Sequence, residues 1–211
     1  NRVVDMSYRM AHSPWFYKGQ DPAEREPMQP YASLATGANE MAPVDMAAGM
    51  QTIANEGLHK QPYLVQRITD ASGEVVYEHE DPGTQVLDRG VALEATDVLK
   101  GVLNGGTGRR GALANGVPAI GKTGTQEDNT NAWFVGATRS LSTAVWIGDP
   151  ATYTPMVNVP GFEFPRIQGG TYPVLIWKAF MDAAMQTRPV SDWDAPPPPS
   201  REAARLYLPG N

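Results

Sequence analysis

The residues best suited to chemistry lie in the stretch Gly121-Lys122-Thr123-Gly124-Thr125, between an apolar approach at 117–120 and a polar run at 126–131. Lysine supplies a positive charge and the threonines supply hydroxyl donors, a combination that suits an anionic group such as a carboxylate. No acidic residue occurs between Gly116 and Gln126, so no sequence neighbour cancels the lysine charge. The stretch therefore predicts an anion-binding site centred on Lys122.

A phosphate-binding loop is one interpretation of this site. Residues 116–123 satisfy the pattern G-x-x-x-x-G-K-[ST], and the apolar run 144–148 followed by Asp149 resembles a strand that ends in a metal-binding aspartate. Such a loop needs a strand directly before it and a helix that begins at its lysine. Here a glycine-rich turn precedes Gly116, and residues 126–131 are poor helix formers. Nucleotide binding therefore stays a remote alternative.

The favoured interpretation places Lys122-Thr123-Gly124 on an edge strand of an antiparallel sheet. There the ammonium supplies a positive field, the threonine hydroxyls donate toward a substrate carboxylate, and glycine lets a substrate backbone lie along the strand. Three runs have the alternation or apolar character of strands in one antiparallel sheet. These runs are residues 117–125, 132–138 and 143–148.

Helices and a second hairpin complete the predicted α+β fold. Residues 62–69 and 74–79 predict the hairpin, with Gly73 supplying a positive φ in its turn. Four segments have helical apolar spacing, namely 2–10, 43–57, 91–103 and 173–186. The apolar stripe of the third consists of Val91, Ala95, Val98 and Val102. The fourth is expected to be buried against the sheet through Ile176, Trp177, Phe180, Met181 and Ala184.

Composition narrows the class of protein. The 211 residues include 41% hydrophobic ones, enough for the core of one domain. Seventeen basic against 23 acidic residues give a net charge of −6, which disfavours nucleic acid as a partner. The absence of cysteine excludes disulfides and thiolate metal sites. We expect no metal ion and no cofactor. A long polar loop is expected at residues 13–39, and a Pro-rich tail at residues 191–211.

Several ordered motifs resemble one known family. In chain order they are Pro43-Val44-Asp45-Met46-Ala47, Ile53-Ala54-Asn55-Glu56-Gly57, Lys122-Thr123-Gly124-Thr125, Ala132-Trp133-Phe134-Val135-Gly136, Val145-Trp146-Ile147-Gly148, Gly169-Gly170-Thr171 and Ile176-Trp177-Lys178. Together they look like the C-terminal part of the transpeptidase domain of a class A, bifunctional penicillin-binding protein. The resemblance covers about residues 1–190 and implies a penicillin-recognising fold, an antiparallel sheet flanked by helices, that is incomplete in this chain.

The resemblance implies an acyltransferase that acts on peptidoglycan stem peptides and is acylated by β-lactam antibiotics. By that match Lys122, Thr123, Gly124 and Thr125 bind the terminal carboxylate of the substrate or the antibiotic. Lys122 and Thr125 are the catalytic members, and the Thr125 N–H forms half of the oxyanion hole. The resemblance also implies the extracytoplasmic face of the cell membrane, with membrane contact only through an N-terminal anchor that this chain lacks.

The family's nucleophile is missing from the sequence. The family carries it in Ser-x-x-Lys and has a second motif, Ser-x-Asn, and no serine of this chain satisfies either pattern. The serines are Ser7, Ser13, Ser33, Ser72, Ser140, Ser142, Ser191 and Ser200. We expect the nucleophile, a glycosyltransferase domain and the anchor to lie upstream, so the upstream part of the same transpeptidase domain is an expected partner. A penicillin-sensing domain and a catalytically inactive homologue are the alternatives.

Overall fold

The computed structural model describes residues 2–11 and 28–198. Within them, antiparallel strands and flanking helices form an α+β fold, as the sequence predicts. The α-helices are α1 (Arg2–Ala11), α2 (Pro43–Ala54), α3 (Arg89–Leu103) and α4 (Tyr172–Ala184). The strands are β1 (Leu58–His59), β2 (Arg67–Thr69), β3 (Val75–Glu78), β4 (Thr84–Gln85), β5 (Ile120–Thr125), β6 (Asn131–Ala137) and β7 (Ser142–Gly148).

The central sheet has the strand order β5-β6-β7 and is antiparallel throughout. Its register pairs Lys122 with Val135 and Thr123 with Phe134. The three predicted strands and their antiparallel pairing are thus confirmed. The predicted second hairpin is also present, since β2 pairs antiparallel with β3 across a turn in which Gly73 has a φ of +89°.

Helices cover both faces of the central sheet. Neighbouring residues of a strand point to opposite faces, so β6 presents an apolar side chain to the helices on each side. Phe134 points toward α4, where its ring meets Trp177 edge to face at 5.0 Å. Val135, the next residue, packs with Met50 of α2 and Leu93 of α3. Two buried clusters therefore sandwich β6, and together they fix the position of β5.

Two of the predicted apolar faces are wrong in part. The stripe predicted for α3 faces the core only at its C-terminal end: Val91 and Val98 are exposed, Val98 by 74%, whereas Val102 packs against the cluster that contains the buried Leu103. The bulkier Leu93 and Leu103 are buried in the core, and Val91 and Val98 lie on the solvent side of the helix. On α4, Trp177 and Met181 are buried as expected, whereas Ile176 and Phe180 are about half exposed, at 49% and 51%.

Some of the expectations fall outside the described part of the chain. These are residues 13–27 of the long loop and residues 199–211 of the tail. The remainder of the loop, residues 28–39, contains one 3-10 turn at Leu34–Thr36. Across residues 2–11 and 28–198, each helix falls short of the length and apolar character needed to span a bilayer.

Trp193 belongs to the core although it lies beyond the last helix, in the segment assigned to the tail. Its side chain is 6% exposed, packs in the same cluster as Met50, and donates from Nε1 to the Ala54 carbonyl at 2.7 Å. Lys100 Nζ lies 5.5 Å above its ring and pairs with Asp192 at 2.6 Å. The domain boundary at residue 190 stays a prediction, and residues 192–194 contact the folded unit.

We expect Trp193→Ala to lower the free energy of unfolding by about 3 to 5 kcal/mol, because it removes a large buried ring and leaves a cavity. Denaturant unfolding of the purified protein measures this change. Leu64→Ala is the control, since Leu64 is 84% exposed and should change stability by less than about 0.5 kcal/mol. Equal, small effects of both substitutions would show that Trp193 does not stabilise the domain.

Candidate active site

Strand β5 lies at an edge of the central sheet and carries all of the predicted site residues. Within residues 28–198 its only sheet partner is β6. Ile120 and Gly121 are buried where the strand enters the core, and the strand then emerges, so that Lys122 and Thr125 are exposed and Thr123 and Gly124 are half-buried. The structure thus brings Lys122, Thr123, Gly124 and Thr125 together on one accessible edge.

The backbone of β5 has hydrogen-bonding groups at this edge that do not pair with β6. The Gln126 N–H donates to the Asn131 carbonyl at 2.9 Å, which makes these two residues a hydrogen-bonded pair. Hydrogen-bonded and non-hydrogen-bonded pairs alternate along antiparallel strands. Lys122 and Gly124 therefore bond to β6, whereas the N–H and C=O groups of Thr123 and Thr125 point away from β6. The Thr125 N–H is accordingly directed to the open edge.

Among the described residues, the Lys122 ammonium has a backbone partner but no acidic one. Its Nζ donates to the Thr123 carbonyl at 2.8 Å, along the open edge. None of the ion pairs formed between residues of the described ranges includes Lys122. The charge is therefore exposed and uncompensated there, as the acid-poor sequence around it predicts. Such a cation attracts an anionic group to the strand.

Two loops contact the threonine hydroxyls from the α4 side of the sheet. Thr107, in the turn that follows α3, places its Oγ1 at 2.8 Å from the Thr123 Oγ1. The Gly169 N–H donates to the Thr125 Oγ1 at 3.1 Å. Both threonine side chains are thus held by groups that lie far from them in the sequence.

Glycine allows the second loop to approach the strand this closely. A Cβ on Gly169 would lie 2.3 Å from the Trp133 carbonyl oxygen and 2.7 Å from that of Gly124, and a Cβ on Gly170 would lie 2.6 Å from the Thr107 carbonyl oxygen. Any side chain at these positions would push the loop away from β5. Arg110 holds the loop from outside by donating to the Gly170 carbonyl at 3.2 Å.

The phosphate-loop interpretation is wrong. Strand β5 runs without a break from Ile120 to Thr125, so no helix begins at Lys122, and Gly116 ends a 3-10 turn instead of following a strand. Asp149 has a structural partner set: its carboxylate accepts hydrogen bonds from the Thr152 and Thr154 hydroxyls and from the Ala151 N–H. These bonds, the one from Thr152 first, lower the pKa of Asp149 to about 2. No group of three or more potential metal ligands occurs in the described ranges.

Sequence reasoning missed Thr107, Arg110 and the hydrogen bond from Gly169. In the sequence the glycine-rich turn at 105–111 indicates only a turn before Gly116, and the Gly169-Gly170 pair contributes only to the family resemblance. Glycine pairs of this kind indicate that the backbone approaches another segment closely, but they do not identify that segment.

A family model described as the penicillin binding protein transpeptidase domain matches residues 15–153. Penicillin-binding protein 1A of Mycolicibacterium smegmatis is 35% identical over 174 residues, which are 79% of this chain and 22% of that protein. The protein of the same name from Aquifex aeolicus is 32% identical over 170 residues, 81% of this chain and 22% of its own length. The chain thus spans about a fifth of the relatives that it matches.

Solved structures of penicillin-binding proteins superpose on this chain. The penicillin-binding protein PonA1 of Mycobacterium tuberculosis superposes with a TM-score of 0.78 at 28% identity, over 93% of this chain and 53% of that one. A second structure of PonA1, solved in complex with penicillin V, superposes with a TM-score of 0.73. Penicillin-Binding Protein 1A of Haemophilus influenzae, at 20% identity and a TM-score of 0.64, supports the fold alone.

The fold, the edge strand and the matched family model, which spans more than half of the residues, lead to one conclusion. The chain belongs to the penicillin-binding protein transpeptidase domain family.

Proposed function

We propose that this chain supplies the substrate-binding strand of a serine-type D-Ala-D-Ala transpeptidase that cross-links peptidoglycan, as part of a bifunctional glycosyltransferase-transpeptidase. The observation that carries the proposal is the open edge of β5, where an uncompensated Lys122 and the hydroxyls of Thr123 and Thr125 lie beside an outward-facing N–H. This arrangement suits a ligand that has a carboxylate and a reactive carbonyl a few ångströms apart.

The proposed reaction divides the work between two parts of one domain. A serine of the upstream part attacks the carbonyl carbon of the D-Ala-D-Ala bond, the C–N bond breaks, and D-alanine leaves with the proton given up by the serine. An amine of a neighbouring stem peptide then attacks the resulting ester, the C–O bond to the serine breaks, and the amine proton returns to the serine oxygen. Lys122, Thr123 and Thr125 hold the donor's terminal carboxylate, with Gly124 leaving room for the substrate backbone. The Thr125 N–H donates to the developing oxyanion.

β-Lactam antibiotics are the second proposed ligand class, because they also carry a carboxylate and a reactive carbonyl. The structure of PonA1 in complex with penicillin V supports this part of the proposal. The proposed location is the extracytoplasmic face of the cell membrane, where the stem peptides are cross-linked. The matched relatives, named penicillin-binding protein 1A, support this location by family membership.

A penicillin-sensing domain or a catalytically inactive homologue would use the same strand for a different purpose. Both alternatives would keep the anion-binding edge of β5, so the strand does not separate them from an enzyme. A sensor would be acylated without transferring the acyl group, and an inactive homologue would not be acylated. Measuring acylation and transfer on the full-length protein therefore separates the three functions.

Lys122→Ala in the full-length protein should slow acylation by a labelled penicillin about 100-fold, equivalent to roughly 2.7 kcal/mol of transition-state stabilisation. The side chain is exposed, so the melting temperature should stay unchanged. Stopped-flow or gel fluorescence with the labelled drug gives the second-order rate constant.

Lys60→Ala is the matched control for this substitution. Lys60 also donates from Nζ to a backbone carbonyl, that of Asp81 at 3.0 Å, but it lies near β1, away from β5. Its substitution should leave the acylation rate within about twofold of wild type, the ordinary range for a surface change of a few tenths of a kcal/mol. Normal acylation of a well-folded Lys122→Ala protein would show that the site is assigned wrongly.

Thr125→Ala should cost less than Lys122→Ala, about 10-fold in the same rate constant, because only a hydroxyl contact is lost while the backbone N–H stays in place. The comparison uses one drug, one temperature and both variants in parallel. A larger loss for Thr125→Ala than for Lys122→Ala would place the main binding energy on the hydroxyl instead of the ammonium.

A further inference from the structure

Each of the two threonine hydroxyls of β5 lies within hydrogen-bond distance of a group on a neighbouring loop. The Gly169 N–H can only donate, so the Thr125 Oγ1 is the acceptor in that bond. Its own hydrogen therefore stays free for another group. The Thr107 and Thr123 hydroxyls lie 2.8 Å apart, and either oxygen can donate to the other when no ligand is bound.

A bound carboxylate sets the direction of the hydrogen bond between Thr107 and Thr123. An ionised carboxylate is an acceptor only, and each threonine hydroxyl has one hydrogen to give. If Thr123 donates its hydrogen to the ligand, its oxygen is left to accept from Thr107. The order of bonds is then Thr107 O–H to Thr123 oxygen, and Thr123 O–H to the carboxylate. A chain of hydrogen bonds in one direction polarises each member and strengthens the last bond.

The Thr107 hydroxyl is held beside the Thr123 hydroxyl because its turn is fixed on both sides. The Gly106 N–H donates to the Gly101 carbonyl at 3.0 Å and the Gly108 N–H to the Val102 carbonyl at 3.0 Å, which attach the turn to the end of α3. On the other side Gly170 packs against the Thr107 carbonyl, where a Cβ would come within 2.6 Å. Thr107 thus sits between the helix and the second loop, beside β5.

We propose that Thr107 and the Gly169 amide are positioning groups that donate to the Thr123 and Thr125 oxygens when a carboxylate binds, so that β5 offers two polarised O–H donors and favours a ligand terminus that only accepts. The selected terminus is a free carboxylate, and the disfavoured one is the corresponding primary carboxamide, whose NH₂ would face donors. This inference rests on the proposed function of the strand and adds the group that sets its selectivity.

Thr107→Val tests the inference, because valine keeps the shape of threonine and removes the hydroxyl. Without the Thr107 donor, the Thr123 O–H is no longer polarised toward the ligand, so the anionic carboxylate loses more binding energy than the weaker carboxamide acceptor. We measure acylation of the full-length protein by a labelled penicillin and by the same penicillin with its carboxylate converted to a primary carboxamide. The ratio of the two rate constants should fall about 3- to 10-fold in the variant, the effect of one hydrogen bond.

Three further variants separate positioning from simple stability. Thr107→Ser restores the hydroxyl and should restore the ratio, and Thr107→Ala replaces the valine variant if that protein melts early. Thr36→Val is the matched control, since the exposed Thr36 hydroxyl donates to the Ser33 carbonyl at 2.8 Å in a turn outside the site. Its ratio should equal that of wild type.

A Thr107→Val protein whose ratio of rate constants equals that of wild type would overturn the inference while leaving the proposed function intact. This holds whether the two rate constants stay the same or fall by the same factor. A wild-type protein that neither drug acylates would instead overturn the proposed function, and the inference with it. A fall in the ratio that Thr107→Ser reverses is the result that supports the positioning role.

Discussion

The candidate site depends on the pairing of β5 with β6 along one edge only. This pairing uses the backbone groups of Lys122 and Gly124 and leaves those of Thr123 and Thr125 directed outward. The same strand thereby joins the core through Ile120 and offers unpaired donors to a ligand through Thr125. An exposed edge of this kind invites unwanted pairing with other chains. In this fold the edge is short, and its charged residue is the lysine that the proposed chemistry requires.

Close backbone approach is the second constraint on the site. Gly169 and Gly170 lie where any Cβ would meet a carbonyl oxygen of β5, β6 or the Thr107 turn. The energetic cost of glycine flexibility is offset by the hydrogen bonds that follow, from the Gly169 N–H to Thr125 and from Arg110 to the Gly170 carbonyl. Because a backbone N–H of this loop donates to the Thr125 oxygen, the Thr125 hydroxyl hydrogen is left to point toward another group.

The two-sided core explains why an accessible strand is held in a fixed position. Phe134 packs toward Trp177 on one face, while Val135 packs toward α2 and α3 on the other. Trp193 closes the second cluster from the C-terminal side by bonding to the Ala54 carbonyl. Because both faces of β6 are packed, β5 has little freedom to shift, and a site that discriminates between similar ligand termini needs that rigidity.

The sequence alone determined the three strands of the central sheet, the four helices and the position of Lys122 on an exposed strand, because alternation and helical spacing depend on neighbours within a few residues. It also predicted the uncompensated charge, since the acid-poor run from 116 to 126 leaves no local partner. It did not determine which apolar residues of α3 are buried, because valines and leucines lie on more than one side of that helix. Only the packing of α3 against the sheet decides which of them are covered. The contacts of Thr107 with Thr123 and of Gly169 with Thr125 join residues 16 and 44 positions apart. Such contacts depend on the path by which each loop returns to β5, which is fixed by the packing of α3 and α4 on the sheet and not by any local pattern.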